Sequence, residues 1–165
     1  MFARTLGLAV SLMLLVACDT VGVDTRPLPD ADLDAWDAEM LAAVNEARAQ
    51  GGVCGTERMA PSEPLIWDVR LERAAARHSR DMSRHGYIGH VDSRGRGIGE
   101  RVREAGYDWS VVAENIARYR ESIDEVVEDW LESPGHCVNI LNPVLMEMGS
   151  ANVDGNWTQV FGVPR

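Results

Sequence analysis

The sequence predicts an α+β fold: helical periodicity dominates its first half, alternating strand patterns close it, and one amphipathic helix lies between them. The chain has 165 residues with 45% apolar and 25% charged, which bounds it to a single globular domain. Its net charge is −10 with a sequence pI near 4.8, and every one of its 16 basic residues is arginine. An acidic chain lacks the basic footprint that a phosphate backbone requires, so nucleic acid is excluded as the main partner.

The first element is a leader. "MFARTLGLAVSLMLLVAC" carries one positive residue, Arg4, and then an apolar run from Leu6 to Ala17. A run of about a dozen residues is too short to span a bilayer and fits a secretion-signal core. It ends in "LVAC", Leu15–Cys18, which resembles a bacterial lipobox. That resemblance implies a lipoprotein signal peptide over residues 1–17, cleavage before Cys18 and acylation of Cys18. An ordinary secretion signal beside a chance cysteine is the alternative. Both place the mature protein outside the cytoplasm, and losing Arg4 takes its net charge from −10 to −11. Residues 18–32 hold two prolines and no periodicity, and read as the anchored cysteine followed by a flexible tether. Residues 33–165 are the domain. Cys54 and Cys137 remain, an even pair in an oxidising compartment, which predicts a disulfide; two free reactive thiols are the alternative.

Within the domain, Leu33, Trp36, Met40, Val44 and Ala47 share one face of a helix over 33–50, ended by Gly51-Gly52. "VCGTERMAPSEPLIW" reads as a loop pinned by Cys54. Asp68 is a good N-cap for a second helix to His85, with Leu71, Ala75, His78 and Met82 on its apolar stripe. His78 on that stripe reads as a buried histidine with one hydrogen bond, and His85 as an exposed one near the helix end. "HGYIGHVDSRGRG" is irregular, and a short helix covers 100–105. Val111–Tyr119 reads as a strand or a turn leading into one. Ile123, Val126, Val127, Trp130 and Leu131 form a helical stripe stopped by Pro134-Gly135. "LMEMGSANV" and "NWTQVFGV" alternate as strands joined by a turn at Asp154-Gly155.

Six segments now occur in order: "HSRDM", "YIGH", "AENIA", "VVEDWLESPGHCVNIL", "MGSANV" and "WTQVFG". Together they resemble the bacterial branch of the CAP superfamily, the SCP domain shared with cysteine-rich secretory proteins, venom antigens and plant pathogenesis-related proteins. The resemblance covers roughly 33–163. It implies an α-β-α sandwich with a central antiparallel sheet flanked by helices, and a cleft lined by two histidines and two acids. By motif these fall on His90, Glu114 and His136, while the second acidic position holds Ser133. Glu132 is its neighbour, about 100° round the helix. Three of the four are therefore kept.

His90, Glu114 and His136 offer two imidazoles and a carboxylate, a set that suits zinc or another divalent metal. The alternative is a polar cleft in which Glu114 hydrogen-bonds an imidazole and no metal takes part. The sequence has no close-spaced ligand pair of the HExxH kind. Ser79 and Ser133 are available hydroxyls, but no nucleophile-elbow motif surrounds them. The expected function is a monomeric envelope lipoprotein, tethered to the membrane by Cys18, that binds a small apolar or lipid ligand or an envelope polymer. An envelope hydrolase acting on peptide or cell-wall material through the same cleft is the competing class. Arg94, Arg96, Arg101 and Arg103 form a local basic cluster, read either as a face toward anionic polymers or lipid heads, or as a solvated face balanced by Glu100 and Glu104.

Overall fold

The computed structural model describes residues 33–165; the expected leader, the expected acylation site Cys18 and the expected tether lie outside the described residues. Helix α1 spans Ala35–Gln50, with the Asp34 carboxylate accepting from the Asp37 amide as its N-cap. A short hairpin follows, β1 (Gly52–Cys54) and β2 (Glu57–Met59), then β3 (Ile66–Trp67). Helix α2 spans Val69–His85 and α3 Ile98–Glu104. Strand β4 (Trp109–Arg118) leads to α4 (Ile123–Glu132) and α5 (Pro134–Leu141), and β5 (Glu147–Val153) and β6 (Asn156–Pro164) close the chain.

The main sheet has the order β3-β5-β6-β4 and forms the middle layer. Strands β4, β5 and β6 are antiparallel, as expected, whereas β3 runs parallel to β5. Side chains of a strand point alternately to opposite faces, and the two faces carry separate cores. Trp157 and Phe161 of β6 join Met40, Val44, Trp130 and Ile140 beneath α1, α4 and α5. Val160 joins Leu71, Ala75 and Tyr107 beneath α2 and α3. Residues 156–162 of β6 are all buried, the mark of a strand covered on both faces. The result is the expected α-β-α sandwich.

Three departures from the sequence reading have physical causes. The segment expected as a loop holds the β1–β2 hairpin and β3, which exists because the Ile66 and Asp68 amides donate to Met146 O (3.0 Å) and Met148 O (2.8 Å). The third helix starts two residues early, because the Glu100 carboxylate reaches back to the Gly97 amide at 3.1 Å. Pro134 stops α4 and also opens α5. Ser133 is extended (φ −86°, ψ 115°), as a residue before proline prefers, and proline is at home in a helix's first turn.

The β5–β6 turn has positive φ at both Asp154 (51°) and Gly155 (74°), the two-residue geometry that matches the twist of the strands it joins. Cys54 and Cys137 form a disulfide, Cα–Cα 5.5 Å, that ties the hairpin to α5 inside the core. Strand β4 is an edge of the sheet, yet two of its carbonyls are satisfied from outside: Asn139 Nδ2 donates to Glu114 O (3.3 Å) and Trp130 Nε1 to Ile116 O (3.3 Å).

Candidate functional site

The site lies along β4, where the irregular segment after α2, the helix α3 and the start of α5 converge. Glu114, on the α2 side of β4, is 7% exposed. His90 donates from Nδ1 to Glu114 Oε1 at 2.9 Å, since a carboxylate can only accept. Arg101 of α3 donates from one terminal nitrogen to Glu114 Oε2 at 2.7 Å and to His90 O at 3.2 Å. Both carboxylate oxygens are thus held, one by an imidazole and one by a guanidinium that is itself 4% exposed. The His90 ring stands 56% exposed, with Nε2 as its nitrogen available to a ligand.

His78 lies behind this pair. It is buried, donates from Nε2 to Gly89 O at 2.8 Å, and approaches Glu114 Oε1 only to 4.0 Å. That fixes the backbone just before His90, the single bond its place on the apolar stripe predicts. Burial pushes its pKa down. His136 is half-buried on α5 and makes no side-chain hydrogen bond to His90 or Glu114 among the described residues. Burial, and then the His90 charge, push its pKa down. Its backbone is held in place: His136 O accepts from Asn115 Nδ2 (3.2 Å), which also donates to Gln159 Oε1, and Asn139 Nδ2 donates to Asn115 Oδ1. The hydrogen bond from Glu114 raises the His90 pKa, with burial opposing.

The three expected residues therefore come to one edge of the sheet but do not form a ligand set. Among the described residues no three histidine, cysteine or acidic side chains are close enough to hold an ion. Glu114 is instead committed within the protein, its two oxygens accepting from Arg101 and from His90. The sequence reading missed that role for Arg101. A signal was present, because Ile98, Arg101, Val102 and Ala105 share the inward face of α3.

Neither Ser79 nor Ser133 joins the pair among the described residues. Ser79 Oγ is buried between Ala151 O and Thr158 Oγ1. Ser133 is the boundary of α4 and α5, and its hydroxyl makes no bond to His136 among the described residues. Ile88 and Val91, either side of His90 in sequence, are exposed apolar side chains, at 51% and 56%.

The sequence profile of the Cysteine-rich secretory protein family, CAP, matches residues 41–161. The chain belongs to this family. The CAP domain is 28% identical to the Bacillus subtilis (strain 168) protein YkwD over 140 residues, 84% of this chain and 51% of that one. It is 32% identical over 97 residues to the membrane protein YlbC of the same organism, 59% of this chain and 28% of that one. The chain spans about half the length, or less, of these curated relatives. Among solved structures, an extracellular SCP-domain protein from Bacillus anthracis str. Ames superposes with a TM-score of 0.69 at 25% identity, over 76% of this chain and 39% of that one. An outer surface protein of Borrelia burgdorferi superposes with a TM-score of 0.62 at 20% identity, over 77% of this chain and 94% of that one, and shares the CAP fold.

Proposed function

We propose that this CAP domain is an extracytoplasmic binding module, tethered to the bacterial envelope through acylated Cys18, whose cleft takes a small ligand with an apolar body and a hydrogen-bonding head. The observation that carries this reading is the commitment of both Glu114 oxygens, to His90 and to Arg101, beside an exposed imidazole whose sequence neighbours Ile88 and Val91 are also exposed. Such an arrangement holds a ring still and offers its Nε2 to a ligand; it supplies neither a free carboxylate nor an activated nucleophile. The location is supported by the extracellular and outer-surface relatives that share the fold, and by the leader. Among the described residues no helix is long and apolar enough to cross a membrane.

Titration of the purified chain with a dansylated fatty acid tests the proposal. Saturable binding should weaken about tenfold in Ile88→Asp/Val91→Asp, the loss expected when apolar contact area is replaced by charge. His90→Ala should weaken it as well. Equal affinity in all three proteins removes the reading. Because the donor set does not suit a cation, calorimetry with zinc should give the same heat for the wild type and His90→Ala/His136→Ala; a saturable heat lost in the double variant would restore a metal role.

A further inference from the structure

A cavity of about 450 Å³ opens beside Arg101, between α2, the 92–96 turn and α3. Six arginines line it: Arg77, Arg80 and Arg84 from α2, Arg94 and Arg96 from the turn, and Arg101 from α3. In a chain of net charge −10 this is a local reversal of sign. It is built by periodicity, since positions 77, 80 and 84 fall on one face of a helix.

Three acids also line the cavity, and each is engaged. Asp81 accepts from Tyr87 Oη, the Ser93 amide and Ser93 Oγ at 2.6–2.8 Å, and pairs with His85 at 3.1 Å. Asp92 accepts from the Arg94 and Arg96 amides at 3.0 and 2.9 Å and from Arg96 Nε at 2.8 Å. Glu104 pairs with Arg96. Arg96 thus answers two of the acids. The side chains of Arg80, Arg84 and Arg94 form no hydrogen bond or ion pair among the described residues, and Arg77 reaches only the Glu104 carbonyl, at 3.4 Å.

Arg101 supplies a second, independent sign. It is 4% exposed, only one of its nitrogens bonds to Glu114 and His90 O, and its Nε and other terminal nitrogen are buried with no acceptor among the described residues. An unanswered buried donor costs stability unless something bonds it. It sits where unpaired guanidiniums approach from two other elements, Arg80 and Arg84 from α2 and Arg94 from the turn. A planar carboxylate satisfies one guanidinium fork, whereas a tetrahedral, doubly charged anion takes donors from several directions at once.

We propose that this cavity binds a phosphate group, carried by a soluble phosphomonoester or by an anionic lipid headgroup. The cavity adjoins the His90 site through Arg101 and His78, but the proposal rests on the arginines and does not depend on the reading given to that site.

Calorimetry on the full chain in a non-ionic detergent, at matched ionic strength, tests it with inorganic phosphate, glycerol phosphate, water-soluble dibutyryl phosphatidate and acetate. The expected result is saturable one-to-one binding of a phosphate probe, weakened about tenfold or more in Arg80→Gln/Arg84→Gln, as the loss of charge-assisted hydrogen bonds requires. Arg58→Gln, which removes an arginine outside the cavity, should bind as the wild type does. Preference for dibutyryl phosphatidate assigns the phosphate to a lipid; equal or better binding of glycerol phosphate assigns it to a soluble ester. Arg101→Met should also abolish binding, and a thermal melt shows whether that variant is folded. If it is not, the exposed Arg80 and Arg84 pair decides alone. No saturable phosphate binding, equal affinity in Arg80→Gln/Arg84→Gln, or acetate bound as tightly as phosphate overturns the proposal.

Discussion

Glu114 is the residue on which the cleft turns, and Arg101 is the reason it is stable there. A buried carboxylate needs a partner, and removing one member of a buried pair leaves the other uncompensated, at about 3–5 kcal/mol. Arg101→Met should therefore lower unfolding stability by roughly that amount in a urea titration. The histidines provide a second test at this scale. The Glu114 hydrogen bond raises the His90 pKa above the ordinary 6.5, so its contribution to stability is complete below that value and fades as pH rises through the folded one. His78 and His136 are shifted the opposite way, so their contribution is present above the ordinary value and fades as pH falls. NMR titration should find His90 titrating above 6.5 and His136 below it, with Glu114→Gln lowering His90 and His90→Ala raising His136. A His90 midpoint unmoved by Glu114→Gln would contradict the pairing. Motif order placed His90, Glu114 and His136 at this edge, but the buried arginines were hidden by their type. Arg48 shows the same thing: it sits one residue past the expected apolar stripe of α1, fully buried, and donates to Glu63, Ile140, Asn142 and Leu145 carbonyls. Arginine reads as surface until its position on a stripe is counted.

Among the elements, α2 and β5 pack backbone against backbone at Gly149. A Cβ on Gly149 would stand 2.0 Å from the Glu72 amide nitrogen, backbone against backbone, where no side chain can rotate away. Gly149→Ala should cost about 3 kcal/mol or more, at the upper end of overpacking effects, and a denaturant midpoint within error of wild type would refute that close approach. The long amphipathic elements, α1, α2 and α4, were legible because their stripes repeat over several turns. The β1–β2 hairpin, β3 and α5 were not. The first two are short elements held by backbone pairing that leaves no periodic trace, and α5 begins at the same proline that ends α4. A proline before a glycine reads as an end, although it is equally a beginning.

At the scale of the whole molecule, the disulfide joins the hairpin after α1 to the helix that carries His136, across 83 positions of sequence. Closing a loop of that length stabilises by about 4 kcal/mol in the chain-entropy picture. Cys54→Ser/Cys137→Ser should lose about 2–5 kcal/mol and loosen α5 first, which hydrogen exchange at residues 134–141 would report; exchange there as slow as in the wild type would count against the tie. The α+β class was readable from the pattern of elements, the layered sandwich from the motifs that carry the family resemblance, and the cysteine pairing from an even pair in the expected oxidising compartment. The electrostatics of the cleft were not, because they depend on which guanidinium the packing brings to which carboxylate. The side-chain donors from Asn139 and Trp130 that meet the β4 carbonyls have one more effect. An open strand flank is a template on which another strand could add itself. With those acceptors already occupied, β4 has fewer open carbonyls to offer such a strand.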